Sequence, residues 1–232
     1  MVFRLVAGAG KSVLWYVRRS TISFWELTVP TSSTIIQETE TMQKYGLASL
    51  AFFYHDSREE QKKDLRGLLS SVLVQLCHQS DACCDILSQF YLQHHYGSQH
   101  PTDDGLVQCL KDVLGLPGQA PVFLILDALD ECPNISAMPS AREKVLTLVE
   151  ELIDLQLPNL RICVTSRADI DIKAVLEPLA SHSVSIHDEK GHIEDIVNYI
   201  KSVVNTDSRI RRWKAAQKQL VVDVLTERAD GM

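Results

Sequence analysis

A chain of 232 residues, 45% hydrophobic and 23% charged, has the length and composition of one large α/β domain with a substantial core. Its net charge of −7 removes the electrostatic case for nucleic acid or an anionic membrane as partner. No run approaches the roughly 20 apolar residues that span a bilayer, and the N-terminus lacks a basic–apolar–small leader, so a cytoplasmic address is the expectation.

Val2–Val6 reads as a short first strand, and Gly8-Ala-Gly10-Lys11-Ser12 follows it. Ala48–Tyr54 is short, apolar and aromatic, the pattern of a buried strand. Leu65, Leu68, Leu69, Val72, Leu73 and Leu76 recur at helical spacing. Residues 99–104 form a polar loop, with Asp103 or Asp104 placed to cap a helix that carries Leu106, Val107, Leu110 and Leu114. A Pro-Gly turn at 116–121 leads into the apolar run Val122–Leu126. Ser140 with Glu143 predicts a capping box for the helix of Val145, Leu148, Val149, Leu152 and Leu155. Leu160–Ser166 and Ser183–His187 read as further strands, and two helices follow, marked by Ile193–Ile200 and by Trp213–Leu225. Strands alternating with helices predict a parallel sheet covered on both faces, with ligands at the carboxyl ends of its strands.

Three motifs fall at such ends. Gly8-Ala-Gly10-Lys11-Ser12 resembles the second half of a P-loop: backbone N–H groups of Gly8 and Gly10 cradle phosphate, Lys11 reaches the β/γ-phosphates and Ser12 ligates Mg²⁺. The full pattern has another glycine where this chain has Leu5. Asp127 closes an apolar strand, where a carboxylate organises Mg²⁺ with Ser12; Asp130 and Glu131 lie just beyond, where a carboxylate polarises an attacking water. Arg167 ends the next strand, where a guanidinium senses γ-phosphate charge. The bland readings are a solvated acidic turn and a surface arginine. The six cysteines form no CxxC pair and read as reduced core thiols; His94, His95 and His100 read as a polar loop.

In this order Gly10-Lys11-Ser12, Leu65–Leu76, Asp127–Cys132, Ile162–Arg167, Ser181–His187 and Glu227–Met232 resemble a NACHT-type NTPase of the STAND class. More narrowly, it resembles the fungal NACHT proteins, whose domains are also called nephrocystin-like N-terminal domains. The resemblance covers nearly all of 1–232 as one domain cut at both ends, and Ala168, where the family commonly has Pro, is a small departure. It implies a P-loop fold with a five-stranded, mainly parallel sheet flanked by helices, the Arg167 strand lying between those of Lys11 and Asp127. It also implies ATP or GTP with Mg²⁺, slow hydrolysis, nucleotide-dependent self-association, and NACHT or repeat-protein partners in signalling such as fungal non-self recognition.

Trp15–Thr31 does not fit that family, whose P-loop runs directly into a helix. It is β-branched and aromatic, contains Pro30, and continues a helix poorly. Removing it joins Leu14 to Ser32 and places Ile35 and Met42 on one helical face with Leu14. Its ends can be encoded with fungal intron signals (GTATGT within Trp-Tyr-Val, CTAAC within Glu-Leu-Thr), so a retained intron is one reading. Two functions follow as expectations: a nucleotide switch, or a degenerate fragment acting as an interaction scaffold. A small-molecule P-loop kinase is a third and weaker fit, since no acceptor site is evident.

Overall fold

The computed structural model describes residues 12–17, 32–94, 97–134, 139–185, 192–206, 210 and 213–229. The expected strand Val2–Val6, and Leu5, Gly8, Gly10 and Lys11, lie outside them.

Three parallel strands make the centre: β2 (Ser49–Tyr54), β3 (Val122–Asp127) and β4 (Leu160–Arg167). β1 (Ser12–Val17) pairs antiparallel with the far edge of β4, and β5 (His182–Ser185) pairs antiparallel with β1, in the order β2-β3-β4-β1-β5. The expectation of a mainly parallel five-stranded sheet is corrected here: the parallel part is three strands. The branched and aromatic run Val13-Leu-Trp-Tyr-Val17 has the propensity for a strand, and its pairing with the β4 edge and with β5 sets its antiparallel direction. Ser12 therefore opens a strand, and the first helix among the described residues, α1, spans Ser32–Lys44.

The other helices among the described residues are α2 (Leu65–Cys77), α3 (Asp81–Gln93), α4 (Asp103–Leu114), α5 (Ala141–Asp154), α6 (Ile170–Leu179), α7 (His192–Thr206) and α8 (Ala215–Ala229). Strand residues alternate between two cores. Leu124, Leu126, Ile162 and Val164 meet the apolar faces of α2, α4, α5 and α6. Leu50, Ile125 and Cys163 meet Ile35 and Ile36 of α1 on the other face, with Phe52 and Phe123 packed alongside. Helices thus flank the sheet on both faces, as a two-sided apolar sheet requires.

Local capping follows sequence chemistry. Ser140 and Glu143 form the expected capping box on α5. For α4 the cap is Thr102, whose Oγ1 accepts from Gly105 N at 3.1 Å; Asp103 and Asp104 occupy the first turn instead, where the helix dipole favours anions. α3 and α6 were not expected from the sequence. The final helix starts after Trp213, at Ala215.

β2 is an edge strand, and α2 closes that edge with side chains. Gln75 accepts from Phe52 N at 3.0 Å and donates to Phe52 O at 2.8 Å. Gln79 accepts from Leu50 N at 2.8 Å and donates to Leu50 O at 2.5 Å. Four residues of helix rise about 6 Å and two residues of strand about 6.6 Å, so amides one turn apart match every second strand residue.

All six cysteines are free; Cys83, Cys109, Cys132 and Cys163 are buried, Cys77 is half-buried and Cys84 exposed. Burial pushes the Cys109 thiol up to about 11 and Cys132 up to about 12, as expected of inert core thiols. His94 packs on Phe90, ring centroids 4.4 Å apart, and no group of metal-ligating side chains occurs among the described residues. Nor is any helix among them long and apolar enough to cross a membrane.

Candidate functional site

The carboxyl ends of β3 and β4 meet side by side, and alternation puts Asp127, Thr165 and Arg167 on the same sheet face as Ile125 and Cys163, the face covered by α1. Asp127 is only 5% exposed. The Thr165 hydroxyl donates to its Oδ1, and accepts from Ala128 N at 2.9 Å. On the other side, His55 N donates to Asp127 O at 3.0 Å, locking the end of β2 to the end of β3.

Immediately after Asp127 the chain turns sharply. Ala128 is left-handed (φ 55°, ψ 46°), a conformation that costs a residue with a Cβ about 1–2 kcal/mol. Its N–H on Thr165 and its carbonyl on Glu131 N, at 2.8 Å, hold it there. A single 3₁₀ turn, Leu129–Glu131, follows, anchored by the fully buried Leu129. Strained backbone held by surrounding bonds is typical of ligand sites.

The turn presents two acids. Asp130 accepts from Arg167 N at 3.0 Å through Oδ1 and from Arg167 Nε at 3.1 Å through Oδ2. Its side chain is 10% exposed and that of Arg167 60%, so the pair joins a sheltered carboxylate to a guanidinium that reaches solvent. Glu131 is half-buried and accepts from Ser57 Oγ at 3.0 Å. Ser12 is brought to the same end of the sheet: in the β1–β4 register its Cα lies opposite Arg167. Asp127, Asp130, Glu131, Arg167 and the Ser12 backbone therefore share one end of the sheet. Gly8, Gly10 and Lys11 lie outside the described residues.

Two neighbours were not anticipated. His55, just past β2, is 3% exposed, and neither ring nitrogen has a hydrogen-bond partner of ordinary geometry. Burial holds its pKa down to about 4, helped by the Arg142 charge and only partly offset by the Lys62 backbone. Tyr54, the last residue of β2, has its phenol pushed up, first by burial and then by the carboxylates of Asp127 and Glu40.

Arg142, in the first turn of α5, is the second. It is 7% exposed. Nε donates to Cys132 O at 3.0 Å and Nη2 to Asp130 O at 2.7 Å. Nη1 meets Asp169 Oδ2 at 2.9 Å and Asp171 Oδ2 at 3.0 Å. A signal for it was present: a cation in the first turn of a helix opposes the macrodipole and implies dedicated acidic partners.

The family described as Nephrocystin 3, N-terminal matches residues 28–167, more than half of the 232 residues. The chain belongs to that family. The NACHT family itself gave no match. The matched span runs from shortly before α1 to the last residue of β4, so it includes Asp127, Asp130, Glu131 and Arg167 and leaves out Gly8–Ser12. No curated protein and no solved structure matched.

Proposed function

We propose that this nephrocystin-type domain is the nucleotide-binding switch of a NACHT-type STAND protein. The observation that carries the reading is the convergence of Asp127, Asp130, Glu131 and Arg167 on one end of a parallel sheet, where α/β folds bind ligands. Carboxylate and hydroxyl oxygens are the hard donors that Mg²⁺ takes, and Asp127 with Ser12 would hold that ion. ATP or GTP would lie with its phosphates on Gly8, Gly10 and Lys11. Mg²⁺ would neutralise phosphate charge. Glu131, aided by Asp130, orients a water, and Arg167 answers to the γ-phosphate. A switch needs differential affinity for two states, not fast turnover; slow hydrolysis resets it, and self-association or repeat-protein partners read it in the cytoplasm.

Labelled ATP and GTP binding tests the reading. In a form competent to bind, Lys11→Ala should abolish binding, and Glu131→Gln should slow hydrolysis while sparing binding. Binding that survives Lys11→Ala would sink it.

A second reading is favoured by two observations: β1 is antiparallel, and the family match begins after Ser12. In it the chain is a degenerate scaffold whose acidic half remains while its phosphate loop is interrupted by 15–31, an insertion that a retained intron would explain. α1 starting at Ser32, where the chain without 15–31 would rejoin Leu14, supports this. A form lacking 15–31 and carrying Leu5→Gly should bind nucleotide better than the parent. Equal, Lys11-dependent affinity in the two forms would reject the interruption, and uninterrupted transcript reads through codons 15–31 in most molecules would reject the intron.

A further inference from the structure

We propose that Arg142 is the positioning residue that keeps the acidic turn after β3 and the strand end carrying Arg167 in one register. Its meaning for chemistry rests on the nucleotide reading above; its structural content does not.

The guanidinium reaches two chain segments from a third. On one side it binds the carbonyls of Asp130 and Cys132, at 2.7 and 3.0 Å. These carbonyls belong to the residues on either side of Glu131, so one rigid group holds the Asp130–Glu131 peptide and, beyond Glu131, the Cys132–Pro133 peptide. On the other side it binds Asp169 and Asp171, at 2.9 and 3.0 Å, at the start of α6 and just beyond Arg167. Asn134 Nδ2 donates to Asp171 Oδ2 at 2.8 Å and Ser140 Oγ to Asn134 Oδ1 at 3.0 Å, tying the same acid back to the cap of α5. Arg142 N itself donates to Pro133 O at 3.1 Å.

The contacts close a ring. Arg142 holds the backbone of Asp130; the carboxylate of Asp130 holds Arg167; Arg167 leads along the chain to Asp169; Asp169 returns to Arg142. A shift of either turn must break the ring somewhere. Only a planar fork with five donors serves backbone carbonyls on one edge and carboxylates on another; a lysine, with one point of charge, cannot span both. A buried ion pair alone is weak support for stability. Here the geometry points to placement of Glu131 relative to Arg167, a distance that water activation and phosphate sensing both depend on.

The test uses Arg142→Lys and Arg142→Met in the full chain. Amide hydrogen exchange at Leu129–Cys132 and at Arg167–Asp171 should accelerate together, by roughly tenfold or more, while the central amides of β3 stay protected. Acceleration in one segment alone, acceleration in proportion throughout the molecule, or no change would each overturn the proposal. Should Arg142→Met fail to fold, the double change Asp169→Asn and Asp171→Asn removes the other half of the ring, and the same exchange pattern decides. In turnover, kcat should fall on the order of a hundredfold with KM held within a few-fold, since small misplacements of acting groups cost about that much. A fall in affinity with unchanged kcat would overturn the positioning role. A parent chain that turns over no nucleotide would reject the nucleotide reading, and the exchange pattern would still decide for or against the ring.

Discussion

Removing the Thr165 hydroxyl should unlock the turn after β3. Thr165 is 1% exposed and bridges Asp127 to Ala128 N, so Thr165→Val keeps the shape and deletes both bonds. The Ala128 N–H, left without its acceptor, costs about 1–3 kcal/mol, and loss of a hydrogen bond to a carboxylate contributes about 1.5–3 kcal/mol. Allowing for relaxation of the turn, the expected destabilisation is about 3 kcal/mol. With a urea m-value of roughly 3 kcal/mol/M, the midpoint should fall by about 1 M at constant m. Thr165→Ser keeps the hydroxyl and should lose only about 1 kcal/mol for the missing methyl. A Val variant within about 0.3 M of the parent, or a Ser variant as unstable as Val, would refute the reasoning.

Ala128→Gly should stabilise the fold by about 1 kcal/mol in thermal melts, because relief of the left-handed strain exceeds glycine's added unfolded-state entropy; a loss of stability would show that the Ala128 methyl packs usefully. His55 is held at about 4, below its ordinary 6.5, so below pH 6.5 the unfolded chain takes up a proton that the folded chain refuses: its contribution is full above that pH and falls progressively as pH drops towards 4. Relative to His55→Phe, the parent should therefore lose about 3 kcal/mol between pH 7 and 4 in urea titrations, and parallel pH profiles would exclude His55 as the cause. Gln75→Ala with Gln79→Ala should speed exchange at the Leu50 and Phe52 amides and promote concentration-dependent association through β2, at about 2–3 kcal/mol of stability. Scattering that stays monomeric at all concentrations, with unchanged exchange, would remove the edge-closing role.

Much of this was legible from local chemistry. β2, β3 and β4 are short apolar runs bounded by turn residues, and their ends lie within a residue or two of the expected positions. Ser140 and Glu143 announced α5 because a capping box is a four-residue signal. α3 was readable in principle, since Cys83, Ile86, Leu87 and Phe90 keep helical spacing, but only Cys83 is fully buried and the polar faces between them mask the stripe. α6 buries only Ile172 and Leu176. Strand direction is different in kind. Val13–Val17 has strand propensity, but which way it runs is decided by β4 and β5, far away in sequence. The same holds for Arg142 and for the Thr165 bridge: Asp127 and Arg167 stood out by position in a motif, whereas their supports are single residues whose partners lie across the sheet.

The polarity of β1 bears directly on what the acidic turn can do. A phosphate loop works because one strand delivers it and one helix N-terminus receives the charge, with consecutive backbone N–H groups between them. Here Ser12 begins a strand, and among the described residues the next helix N-terminus is at Ser32. In sequence, the N-terminus of α1 is separated from Lys11 by residues 12–31. On the other side of the sheet end, Asp127 is bonded to Thr165, Asp130 to Arg167 and Glu131 to Ser57, all partners within 57–167. The family match divides at the same place, taking in every one of those acids and none of Gly8–Ser12. The bonds named around the acidic half can therefore be tested apart from the phosphate half. Loss of nucleotide binding alone would leave the ring around Arg142 intact, and it is the junction of Leu14 with Ser32 that decides whether the two halves form one site.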